Sequence, residues 1–181
     1  MVILLYYTNM KQEPDKTVRV HNSSGSMGHS VRDFMPLVAM VALVLALTAG
    51  GVYVLDQEPM LAFMGYFFLV FGLLKVMRLR GFVEAYQMYD VLAMRSKVYA
   101  YAYPFLELSF AVAYLLAWQV QYVSAVVLVV MLIGAYGVYR KLRAKEEIPC
   151  ACLGTVFKVP MTWVTLGEDL LMATMALMLI W

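Results

Sequence analysis

The chain has 181 residues, of which 64% are hydrophobic and only 14% charged, against roughly 25% charged in an ordinary soluble domain. With a mean hydropathy of +0.76, a chain of this size cannot hide its apolar side chains in one water-soluble core. The net charge of +2 and the two cysteines exclude a nucleic-acid binder and a disulfide scaffold.

The composition predicts an all-α fold: a polytopic membrane helical bundle whose first partner is the lipid bilayer. Hydrocarbon offers the backbone no hydrogen-bond partner, so each long apolar run must be a helix of about 20 residues. Residues 1–33 read as a cytoplasmic N-terminal segment and linker. Met1–Tyr7 is too short for a signal-peptide core and lacks a basic flank, which leaves a short strand or an interfacial anchor. The Ser/Gly-rich stretch HNSSGSMGHS at residues 21–30 reads as a linker.

The transmembrane domain is expected over residues 34–181, with five spans. The first covers Phe34–Leu55, uncharged between Asp33 and Asp56. The second covers Pro59–Met77, with Lys75 near its end, where the long side chain can snorkel to the interface. The third, about Val98–Trp118, contains Glu107; the fourth, Tyr122–Tyr139, is uncharged. The fifth, from about Thr162 to Trp181, carries Glu168 and Asp169 early.

Charge fixes the orientation. All 14 Lys and Arg residues fall in three segments: before the first helix, around the second connection, and around the fourth. The first and third connections and the C-terminus have none. Cytoplasmic segments carry the excess of Lys and Arg, so the N-terminus is expected inside and the C-terminus outside a bacterial-type inner membrane. An odd number of spans follows.

Within the second connection, Phe82, Tyr86, Tyr89 and Leu92–Ala93 recur at helical spacing, with Glu84, Gln87 and Asp90 opposite. This predicts an amphipathic helix at the cytoplasmic interface over residues 81–97. Tyr99, Tyr101 and Tyr103 then read as an interfacial aromatic belt.

Cys150-Ala151-Cys152 is the most informative candidate site. Two thiols one residue apart can face a soft cation such as Cu, Zn or Hg, or close a small, strained and exchange-competent ring. The cationic residues around them favour thiolate, and a cytosolic position favours the reduced state. Two small buried apolar side chains is the plain alternative.

Glu107 lies mid-span on a face shared by Tyr103, Phe110 and Tyr114. An intramembrane carboxylate costs about 2.5–3.5 kcal/mol on insertion scales, so it should face the bundle and pair with a tyrosine hydroxyl or with Lys75, or hold a proton. A proton or cation relay and a packing lock are both open. Glu168 and Asp169, with Met172, Met175 or Ala176 and then Met178 below them, are a candidate path for a soft metal entering past Cys150 and Cys152. His21, Met27 and His29 are weaker candidate ligands, since no helix spacing groups them.

The stretch FVEAYQMYDVL from Phe82, the segment YAYAYPFLEL from Tyr99 through Glu107, and the Cys-x-Cys-Leu-Gly element at 150–154 together resemble the MauE/DoxX-like family of redox-associated membrane proteins over about residues 59–181. The resemblance implies a helical bundle that acts in thiol redox exchange or in maturation of a partner, as the family's namesake does for the disulfide-rich subunit of methylamine dehydrogenase. It also implies a thioredoxin-like or heavy-metal-associated domain as partner. The acidic Glu168-Asp169 pair and the extra N-terminal span depart from the family pattern, and charge counting places the cysteines on the cytoplasmic side.

Three readings follow. In the first, Cys150 and Cys152 are catalytic thiols. In the second, they ligate a soft metal with Glu168 and Asp169 in a transporter or delivery protein. In the third, the chain is a structural scaffold. Whether it is an enzyme, and whether it forms a homo-oligomer, is left open.

Overall fold

The computed structural model describes residues 31–145 and 163–181. Those residues form six helices: α1 Val31–Leu55, α2 Pro59–Met77, α3 Leu79–Tyr86, α4 Lys97–Leu115, α5 Val120–Arg143 and α6 Trp163–Ile180. No strand occurs among the described residues. The N-terminal segment, both histidines and the Cys150–Cys152 pair lie outside them.

Local sequence explains the boundaries. Pro59 opens α2, where its missing N–H removes no helical bond. Ser96 caps α4, its hydroxyl accepting from the Tyr99 N–H at 3.3 Å. Arg140, Lys141 and Arg143 end α5, where positive charge meets the negative end of the helix dipole. Left-handed backbone at Asp56, Ala117 and Gln119 makes the α1–α2 and α4–α5 turns tight.

Three helices, Met35–Leu55 within α1, α2 and α5, are long and apolar enough to cross a membrane. The sequence predicted five spans. Of the other two helices counted there, α4 carries four tyrosines, Pro104 and Glu107, and α6 carries Glu168 and Asp169.

The helices pack as two antiparallel pairs. Gly65 of α2 lies against Leu115 of α4, and Gly72 against Leu108, so closely that a Cβ on either glycine would come within 3.0 Å of the leucine. On the other side, Gly134 of α5 lies beside Asp169 of α6, and the Gln121 side chain donates to the Ile180 carbonyl at 3.4 Å. The pairs meet in a core of Met64, Phe68, Phe110, Tyr114, Met131 and Met172. Phe68 stacks on Tyr114 at 6.2 Å and meets Phe110 edge-on at 5.7 Å. The Tyr114 hydroxyl shares a buried hydrogen bond with Ser124 at 3.0 Å. α1 packs on the outer side of α2, its Leu37 and Val44 closing over Phe71.

The 81–97 segment differs from its expected form. α3 stops at Tyr86, and residues 87–89 and 91–95 are turns on either side of Asp90. Asp90, expected on the polar outer side, is fully buried. Its Oδ1 accepts from the Leu92 and Ala93 N–H groups at 2.9 and 2.8 Å, which folds the chain back instead of extending the helix. This turn sits against Gly137 of α5, where a Cβ would meet the Tyr89 carbonyl oxygen at 2.5 Å.

The tyrosine belt also divides. Successive helical residues point 100° apart, so Tyr99 and Tyr103 share the inner face, whereas Tyr101 is exposed. Along α6, Met172 is buried but Met178 is 61% exposed, so the methionines do not form one continuous inward stripe.

Candidate functional site

Phe68, Phe71 and Lys75 recur at three- and four-residue steps along α2, and all are buried. On α4, Tyr103, Glu107, Phe110 and Tyr114 form the matching inner face, as their spacing predicts. The faces meet at a buried ion pair between Lys75 Nζ and Glu107 Oε1. Lys75 is only 7% exposed and Glu107 3%. Lys75 therefore does not snorkel to the interface; its counter-charge lies inside the bundle.

Aromatic rings wall the pair. The Lys75 ammonium lies 5.2 Å from the centre of the Tyr103 ring and 5.6 Å from that of Phe82, within range of cation–π attraction. Tyr86 of α3 contacts Tyr103 at 4.6 Å between ring centres, Phe82 at 5.0 Å and Tyr89 at 5.5 Å. The short helix α3 thus acts as a plug, carrying Phe82 and Tyr86 into the end of the bundle. Burial pushes the Tyr86 phenol well above the usual tyrosine range, and nearby Tyr103 and Asp90 raise it further.

A cavity of about 40 Å³ adjoins the pair. Lys75, Glu107, Tyr86, Tyr89 and Tyr103 line it, and α6 contributes Thr165, Glu168 and Asp169. Three helices, α2, α4 and α6, thus bring one cation and three carboxyl groups to one small space. Glu107 Oε2 and the Tyr86 hydroxyl are buried without a hydrogen-bond partner. An ion pair in such a place is costly to separate, because either charge left alone would be desolvated and uncompensated.

Of the predicted site residues, the structure brings Tyr103, Glu107, Glu168 and Asp169 together; Cys150 and Cys152 lie outside the described residues. Among the described residues, no group of three or more His, Cys, Asp or Glu is placed to hold a metal ion. Sequence reasoning does not single out Tyr86, Tyr89 or Thr165 as site residues; it offers Lys75 both as a snorkelling surface amine and as a partner of Glu107, and the structure bears out the second. The available signal for Lys75 was its register with Phe68 and Phe71.

No curated protein and no solved structure matches the chain. The family model described as methylamine utilisation protein MauE matches residues 58–181, more than half of the chain. The chain belongs to the MauE family. The match begins one residue before α2, so the MauE portion holds the two antiparallel pairs, the plug helix, the cavity and the Cys-x-Cys element, while α1 lies ahead of it. Its apolar helices and its family together make this MauE chain a membrane protein.

Proposed function

We propose that the chain is a MauE-type membrane accessory protein in methylamine utilisation, in which Cys150 and Cys152 exchange a disulfide with a partner during that partner's maturation. The observation that carries this reading is the presence of two thiols, one residue apart, inside the family-matched stretch. The sequence places them between α5 and α6. In the exchange, a thiolate of the reduced pair attacks the partner's disulfide to give a mixed disulfide. The second cysteine then expels the partner's thiolate. The pair loses two electrons and two protons, and the partner's disulfide gains both. An oxidised pair runs the same steps in reverse and makes a disulfide in the partner. A thioredoxin-like or heavy-metal-associated domain suits the role of partner.

The topology belongs to the same proposal. α4 lies antiparallel along α2, and α6 along α5. A helix packed along the length of an apolar span crosses with it, which supports five spans with α3 at the interface. The Lys/Arg pattern supports the N-terminus and Cys pair inside and the C-terminus outside.

The test is thiol titration of the detergent-purified protein beside the Cys150→Ser/Cys152→Ser variant, with elemental analysis of both. Two titratable thiols that oxidise reversibly, with no bound metal, are expected. About one soft metal per chain, lost in the variant, would instead assign the cysteines to metal delivery, with Glu168 and Asp169 as further ligands. Thiols that neither oxidise nor bind would leave a scaffold.

A further inference from the structure

Two buried polar atoms at the cavity stand unsatisfied. Glu107 Oε2 has no donor, because the Lys75 ammonium engages Oε1 alone. The Tyr86 hydroxyl, on a residue only 3% exposed, has no partner either. An unmet carboxylate oxygen in a low-dielectric interior carries a large desolvation cost. Both residues line the same cavity of about 40 Å³, and a water needs roughly 10–15 Å³ of such space together with two to four polar partners. The walls supply those partners, and the acids Glu168 and Asp169 of α6 line the same space.

We propose that this cavity is a hydrated proton-exchange site, in which one to three waters complete Glu107 Oε2 and the Tyr86 hydroxyl and pass a proton between Glu107 and the α6 carboxyls. The transfer breaks an O–H bond at Glu168 or Asp169 and, through the water, forms one at Glu107 Oε2. The proton is the only charge that moves, and no electrons are transferred. When Glu107 takes the proton, the Tyr103 and Phe82 ring faces and the ionised α6 acids still offset the Lys75 charge. The titratable groups facing Glu107 are Lys75 from α2, Tyr86 from α3, Tyr89 from the turn that follows, Tyr99 and Tyr103 from α4, and Glu168 and Asp169 from α6; α5 presents Met131 and Gly134, which do not titrate. The proposal stands apart from the thiol reading, since none of its groups is a cysteine.

The test is infrared spectroscopy of the full chain in lipid nanodiscs, following the protonated-carboxyl C=O stretch as pH falls and as H₂O is replaced by D₂O. A titrating carboxyl component is expected that is missing from the Glu107→Gln spectrum, shifts promptly in D₂O, and persists in Cys150→Ser/Cys152→Ser. Tyr86→Phe removes only the unpartnered hydroxyl and so leaves folding intact. It should slow exchange of that band about two- to tenfold, the rate equivalent of one lost hydrogen bond. A Glu107→Gln spectrum that titrates identically to that of the unaltered chain, or a Glu107 component that exchanges as slowly as the core amides, would overturn the proposal. If Glu107→Gln does not fold, the Tyr86→Phe exchange rate decides: an unchanged rate rejects the water path.

Discussion

Lys75 and Glu107, 32 residues apart in sequence, form an ion pair inside the bundle and tie α2 to α4 at the level where α3 closes it. Each charge is tolerated there because of the other. Lys75→Met alone should destabilise the protein by about 3–5 kcal/mol, since it strands a buried carboxylate, whereas Lys75→Met/Glu107→Leu should recover most of that loss. Thermal unfolding in detergent checks both. A double variant as unstable as the single would mean that the pair contributes more than mutual charge compensation.

Gly137 and Gly134 are one turn apart on α5 but meet different surroundings. A methyl at Gly137 would collide with the backbone at Tyr89, which cannot rotate away, while at Gly134 its nearest neighbour, Asp169 Oδ2, is 3.7 Å off. Gly137→Ala should therefore lower the melting temperature clearly. Gly134→Ala should be neutral or raise stability by up to about 1 kcal/mol through helix propensity. Equal effects of the two substitutions would contradict the close approach of the 87–95 turn to α5.

Asp90 holds that turn through two backbone N–H groups. Asp90→Ala should cost about 1.5–3 kcal/mol, the range for hydrogen bonds to a charged acceptor whose loss leaves buried donors unmet. Asp90→Asn keeps an acceptor oxygen and should cost less. Limited proteolysis between residues 87 and 96 should accelerate in the alanine variant and change little in the asparagine one.

The Tyr86 phenol, raised chiefly by burial, makes alkaline stability depend in part on this side chain. Below about pH 10, the usual tyrosine value, folded and unfolded chains both hold its proton. As pH rises further the unfolded chain releases the proton while the folded chain keeps it. Stability therefore falls through that window until the folded phenol also ionises. Tyr86→Phe should lose stability less steeply above about pH 10, as read by denaturation at stepped pH.

Much of this was legible in the sequence, and what was hidden has a physical reason. Helix spacing alone gave the inner face of α4, and Pro59 and Met77 bound α2 where the apolar run began and ended. The sequence offers Lys75 two places, beside Glu107 and at the membrane surface. Period tells which side of one helix is apolar but not which helices are neighbours, and only that adjacency decides between water and Glu107 for a lysine near a helix end. Asp90 failed for another reason: spacing of three and four fits a helix, but an aspartate can cap a turn through its own carboxylate and break the helix that spacing predicts. The gathering of α6 acids beside Glu107 depended on both adjacencies at once.

The order in which the pair is made has a consequence for biogenesis. During synthesis Lys75 leaves the ribosome well before Glu107, so α2 enters the bilayer while its counter-charge is still unmade. A lone lysine near the end of an apolar helix can reach headgroups and water, so the nascent α2 should settle with its amine at the surface and draw it inward only when α4 packs against it. Chains arrested before α4 should label at Lys75 with a membrane-impermeant amine reagent, and full-length chains should not. Arrival of the second helix would then be the step that commits the first to its final depth.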